Sequence, residues 1–251
     1  MNNVPRNHLE AIFGGLSEKR FRVLFLILCF LFFCMPVLAE TGLMDDPWVA
    51  KLLYVVVYMS LLASASSIAS HNRRSYLTMV TVSVLAIGLN VAYLVWPSEV
   101  FMLLNHAVLS LVLLYVIVSL SHYMFSCRRV TMYTIYASLS AFLMIALLWS
   151  MIYGIIDMVD PEAFNVPAHL AGEGRLSSLG SIRAFQGLYF SLVTITTLGY
   201  GDISPISVSA RMLCSAEAFV GQMFMAVMVA RLVGVYSTQS LERDVDGGDR
   251  D

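Results

Sequence analysis

The chain has 251 residues, 59% of them hydrophobic and only 13% charged, and its mean hydropathy is +0.77. That composition excludes an ordinary soluble domain and is that of a membrane protein. A formal net charge of -2, with no block of lysine or arginine, offers no basic surface for nucleic acid, and no nucleic-acid partner is expected.

Residues 1–21 read as a cytoplasmic or interfacial amino terminus, with Leu9, Ile12 and Phe13 toward lipid and Arg6, Glu10, Lys19 and Arg20 toward water, though Gly14 and Gly15 weaken a helix there. A bilayer core about 30 Å thick needs roughly 20 apolar residues of helix. Six stretches meet that length, near 22–39, 50–70, 76–96, 100–120, 132–157 and 206–236. The first also has the form of a secretory leader, Phe21 to Ala39 ahead of Glu40, but the long stretch before it and an otherwise paired set of four helices argue for retention. Cys29, Cys34 and Cys214 fall inside apolar runs and Cys127 lies beside Arg128 and Arg129, so all four read as reduced packing residues.

Residues 22–121 form a four-helix membrane module. Its second segment carries Ser64, Ala65, Ser66, Ser67 and Ala69, which suits close helix packing. Asn90 and Asn105 lie at matching depth on either side of a turn at Pro97 to Glu99. An interhelical hydrogen bond accounts for them, and a small-molecule or proton site built with His106 is the alternative. A voltage sensor needs arginines at every third position of a membrane helix, so that the field does work on them, and Val100 to Leu120 has none. Voltage gating is not expected of this module.

Beyond the fifth span, Asp157, Asp160, Glu162 and Glu173 stand against Arg175 and Arg183 in a polar loop. A shorter apolar run, about 183–196, cannot span and reads as a re-entrant helix. It leads into Thr194 to Asp202, Thr-Ile-Thr-Thr-Leu-Gly-Tyr-Gly-Asp. Two glycines spaced by one residue reach backbone conformations closed to most side chains, so consecutive carbonyl oxygens turn toward one axis and replace an ion's hydration shell. Irregular backbone at membrane depth survives only where it is buried in protein or lines a water-filled path, which points to a pore a second time.

The stretch resembles the selectivity filter of the pore-loop potassium channels, whose signature is Thr-Val-Gly-Tyr-Gly-Asp preceded by further threonines. Thr196, Thr197, Gly199, Tyr200, Gly201 and Asp202 match position for position, and Leu198 replaces the commoner valine or isoleucine. The resemblance runs from about Tyr133 to Ser237, within a pore domain at residues 132–237. It implies an all-α membrane protein with six transmembrane helices plus a re-entrant pore helix and filter. It also implies a homotetramer, because each chain contributes one filter.

By that resemblance the carbonyls of Thr197, Leu198, Gly199 and Tyr200, with the Thr197 hydroxyl, would coordinate K+, and Gly201 would complete the filter. Thr194, Thr196, Asp202, Tyr189, Phe190 and Glu217 would support it. Tyr189 and Phe190 fall where the family has an aromatic pair bracing the pore helix, with Tyr189 in reach of Asp202, and ordinary helix packing is the other reading. Some bacterial members carry a glutamate five residues before the position of Leu198, where this chain has Val193, so that brace is missing here.

Glu217 is out of place in an apolar span, since an uncompensated carboxylate at membrane depth is costly. It must be paired, protonated or wet. A hydrogen bond to the pore helix behind the filter is expected of it, with a proton-sensing gate as the alternative. Gly221 matches the glycine at which family inner helices bend, and close packing explains it equally. Gln222, Met225 and Val229 would face a cavity from one helix face, and a narrowing at Val229 and Val233 could gate by dewetting. Residues 238–251 read as a short acidic cytoplasmic tail, too short for a ligand-sensing domain.

Cytoplasmic flanks are enriched in lysine and arginine. With both termini inside a cell membrane, only Lys51, Arg175, Arg183 and Arg211 of the 15 basic residues lie outside, and the filter opens outward. The expected function is passive, potassium-selective conduction without an arginine voltage sensor, with K+ and membrane lipid as partners and no cofactor beyond the permeant ion. A non-conducting regulatory or sensory subunit and a weakly selective cation channel are the alternatives, and no paired catalytic constellation suggests an enzyme.

Overall fold

The computed structural model describes residues 21–34, 37, 73–96, 98–126, 130–167 and 182–248. The amino-terminal 1–20, the junction of Ala39 and Glu40, the second apolar segment near 50–70, Cys127, and the loop with Glu173 and Arg175 lie outside the described residues. The described chain is mostly helical. Helix α1 covers residues 21–34, closing with a π-helical turn at Phe30–Cys34. It is followed by α2 (Arg73–Val95), α3 (Glu99–Ser126), α4 (Met132–Val159), α5 (Ile182–Ile195) and α6 (Val208–Gly248).

Three described helices, over Glu99–Ser126, Met132–Val159 and Val208–Thr238, are long and apolar enough to cross a membrane. Phe21–Phe33, Val80–Ala92 and Gln186–Ile195 are shorter apolar stretches. Helix α4 begins at a reciprocal cap, in which the Thr131 hydroxyl accepts from the Thr134 amide and the Thr134 hydroxyl accepts from the Thr131 amide. Helix α6 does not stop where the sequence suggests a separate tail. It runs on through Gly248, because Gln239 to Glu242 are mostly good helix formers and no proline intervenes.

One core joins α1, α3 and α4: Leu24 and Leu28 pack with Val116, Leu120, Ala137 and Met144. Phe21 lies on Tyr123 and Phe25 on Tyr136, with ring centroids 4.5 and 5.5 Å apart. Asn90, Asn105 and His106 are buried where α2 meets α3. The expected Asn90 to Asn105 bond is absent, since neither side-chain amide donates to the other, and His106 Nδ1 lies 2.9 Å from the Met102 carbonyl of its own helix.

A second, smaller core of Tyr153, Ala163, Phe164, Phe190, Ile203 and Ala210 gathers between α4, α5 and α6. Above it, β1 (Phe164–Asn165) pairs antiparallel with β2 (Ser204–Pro205), with Phe164 opposite Pro205 and Asn165 opposite Ser204. This short ladder ties the loop after α4 to the segment that follows Asp202.

Candidate functional site

Helix α5 ends at Ile195, and its terminal carbonyls determine the path of the next residues. Thr196 N donates to the Leu192 carbonyl at 3.1 Å and Thr197 N to that of Thr194 at 2.9 Å. The amides of Leu198 and Gly199 both turn back to the Val193 carbonyl, at 2.9 and 3.2 Å. In a trans peptide an N–H and the preceding C=O point opposite ways, so the carbonyls of Thr197 and Leu198 face away from α5. The backbone then alternates: φ is +59° at Thr197, +59° at Gly199 and +79° at Gly201, and negative at the residues between. Left-handed conformation at every second residue keeps successive carbonyls on one side, and it is why glycine stands at two of the three positions. The negative end of the α5 dipole lies behind this row, which favours a cation in front of it.

Beyond the row, the Tyr189 hydroxyl donates to Asp202 Oδ2 at 2.7 Å and the Ile203 amide donates to Asp202 Oδ1 at 2.9 Å. Tyr189 also stacks on Tyr200, with centroids 6.4 Å apart and planes 11° from parallel. The Ile206 amide donates to the Ala163 carbonyl at 2.7 Å beside the β ladder. The irregular segment is therefore held at both ends. Thr194 and Thr196 direct their hydroxyls to carbonyls of α5, Phe190 at 2.8 Å and Leu192 at 2.6 Å, and so stiffen its end. Phe190 is buried against Tyr153 and Phe164, with centroids 5.2 and 5.6 Å away.

Behind the row, α5 lies between two long helices in a simple register. Against α4 it runs antiparallel, with Gly187 beside Ser150 and the Ser191 hydroxyl 2.7 Å from the Ala146 carbonyl. Against α6 it runs parallel: Ser191 meets Glu217 and, one turn on, Ile195 meets Gly221. Glu217 is fully buried, with its Oε1 2.5 Å from Ser191 Oγ and its Oε2 hydrogen-bonded to the Tyr153 hydroxyl. The bond from Glu217 to the pore helix is thus present, and Tyr153 joins it from a third helix.

Gly221 is buried against α5 and lies off the open face of α6 on which Gln222, Met225, Val229 and Val233 stand. Those four are exposed in the single chain, as are Leu198, at 56%, and Tyr200, at 67%. The row of carbonyls and this helix face are left uncovered together. Sequence reasoning missed Tyr153, Ser191 and Ile195. A polar Ser191 on the apolar side of a pore helix was the available signal; Tyr153 and Ile195 carried none. It also missed Arg231, whose Nη2 donates to the Phe125 carbonyl at the end of α3, at 2.9 Å.

Residues 111–238 match the profile of a family described as Ion channel. The chain is 33% identical over 106 residues to Protein LctB of Bacillus caldotenax, which covers 42% of this chain and 75% of that one. It is 46% identical over 46 residues to Two pore potassium channel b of Oryza sativa subsp. japonica, 18% of this chain and 13% of the plant protein. Over 70 residues it is 39% identical to Potassium channel subfamily K member 17 of Homo sapiens, 27% of this chain and 21% of the human protein. The matches to the plant and human channels thus cover only a small part of their length. No solved structure matches the chain.

Proposed function

Since the chain belongs to the pore-loop potassium channel superfamily, a family of ion channels and not of enzymes, we propose that it conducts K+ passively through a homotetrameric pore. The observation that carries this reading is the left-handed backbone at Thr197, Gly199 and Gly201, which with the amides of Leu198 and Gly199 tied back to Val193 leaves one file of carbonyls free. A single chain offers oxygens on one side of an ion only. Four copies around an axis would complete the cage, and the exposure of Leu198, Tyr200, Met225 and Val229 is what such an axis would cover.

In this reading K+ passes through sites made by the carbonyls of Thr197, Leu198, Gly199 and Tyr200, with the Thr197 hydroxyl at the inner end and Gly201 at the outer. The protein needs no cofactor. Residues 132–237 form the pore domain and residues 22–121 a four-helix module without sensor arginines, together six spans in a cell membrane with both termini cytoplasmic. Lipid would cover the outer faces of the helices. Val229 and Val233 would form a hydrophobic constriction below a cavity lined by Gln222 and Met225.

The reading is tested by the reversal potential of the purified protein in a planar bilayer under a K+ gradient with Na+ as the competing cation. A value near the potassium equilibrium potential is expected. Current reversing near zero would mean a nonselective pore, and silence from reconstituted, folded protein would favour a non-conducting subunit.

A further inference from the structure

The contacts around Glu217 require more protons than the hydroxyls there can supply. Three pairs of oxygens lie at hydrogen-bond distance: Tyr153 hydroxyl with Glu217 Oε2, Glu217 Oε1 with Ser191 Oγ at 2.5 Å, and Ser191 Oγ with the Ala146 carbonyl at 2.7 Å. Each pair needs one proton between its oxygens. Tyr153 and Ser191 carry one each, and the Ala146 carbonyl has none to give. An ionised Glu217 would take both, leaving Ser191 Oγ and the Ala146 oxygen facing each other through their lone pairs. It would also place a full negative charge at a position that is 0% exposed and that receives only neutral donors.

We propose that Glu217 is held as a neutral carboxylic acid and acts as a positioning residue for the filter. The third proton is then its own. Tyr153 donates to Glu217 Oε2, the Glu217 acid proton goes to Ser191 Oγ, and Ser191 donates to the Ala146 carbonyl. All three bonds run in one direction, from α4 through α6 to α5 and back to α4, an arrangement in which each bond polarises the next. Ser191 stands one turn before Ile195, the last residue of α5. The bridge therefore sets the height of the α5 terminus, and with it the Val193 carbonyl to which the filter amides are tied. The Val193 side chain has no polar group to offer, so this inner-helix acid supplies a polar brace from the opposite side. The consequence at the filter rests on the channel reading, whereas the protonation state does not.

The test uses the full chain, purified and labelled with carboxyl-13C glutamate. An infrared difference spectrum of wild type against Glu217→Gln at neutral pH should show the carbonyl stretch of an un-ionised acid, shifted by the label and missing from the variant. Glutamine keeps the geometry of the acid, because its carbonyl accepts from Tyr153 and its amide donates to Ser191. Glu217→Gln should therefore unfold within about 2 °C of wild type, and Glu217→Ala at least about 5 °C lower. In bilayers, Glu217→Gln should keep the K+ over Na+ permeability ratio, and Glu217→Ala should lose at least three-fold of it. Absence of the acid band, or a glutamine variant that behaves like the alanine variant, would overturn the proposal. A wild-type protein that shows the band but passes no K+-selective current would sink the channel reading and leave the protonated bridge standing.

Discussion

Gly221 of α6 lies directly against the carbonyl of Ile195, the last residue of the pore helix: a β-carbon built on Gly221 would stand 2.7 Å from that oxygen and 2.4 Å from Ile195 Cγ1. Together with Ser191 and Glu217 one turn before, it joins α6 to α5 at two successive turns. This explains why glycine is needed at a site where the helix itself would prefer another residue.

Replacing Gly221 by Ala sets two effects against each other. Helix propensity alone favours alanine by about 1 kcal/mol, whereas forcing a methyl against backbone costs about 1–3 kcal/mol. The clash should win, because the closest backbone atom cannot rotate away. Gly234 is the control, since among the described residues a β-carbon there meets nothing within 4 Å. Thermal unfolding is expected to rank Gly234→Ala at or above wild type and Gly221→Ala below it. Equal stability of all three would mean that Gly221 is a hinge and not a packing residue.

Gly199 tests the backbone itself. Among the described residues nothing lies within 4 Å of a β-carbon built on it, yet its φ is +59°. The cost of Gly199→Ala is therefore conformational, about 1–2 kcal/mol in each chain, and four chains would suffer it together. The expected result is an assembled protein with loss of K+ over Na+ preference in the reversal potential. A Gly199→Ala protein with unaltered selectivity would remove the left-handed backbone from the mechanism.

Tyr189→Phe deletes the hydroxyl that donates to Asp202 at 2.7 Å and keeps the ring stacked on Tyr200. A hydrogen bond to a charged group contributes about 1.5–3 kcal/mol, so the outer end of the row should loosen. Current during a sustained voltage step should decay several-fold faster than in wild type. Identical decay would reduce Tyr189 to a packing role.

Val229 and Val233 stand on the open face of α6, 48% and 62% exposed in the single chain. A gate that closes by dewetting weakens when its ring becomes polar. Val229→Ser should raise single-channel open probability with conductance and selectivity little changed. An unaltered open probability would move the gate away from this level.

What the sequence determined by itself was most of what depends on neighbours along the chain. The main apolar helices follow from runs of apolar residues, and the left-handed backbone at 199 and 201 follows from the glycines there, which reach positive φ without strain. The bond from Tyr189 to Asp202 was legible through the resemblance to the family's aromatic pair, with ordinary helix packing as the other reading, and it is present at 2.7 Å. The continuation of α6 through Gly248 was not, since the acids near its end read equally well as a solvated tail. Tertiary structure alone decided the partners of Glu217 and the role of Gly221. Tyr153 lies 64 residues from Glu217, Ser191 26 residues from it, and Arg231 106 residues from the Phe125 carbonyl. A buried carboxyl only signals that a partner must exist. Which hydroxyl meets it depends on the register in which three helices pack, and that register is a property of their complementary surfaces as a group.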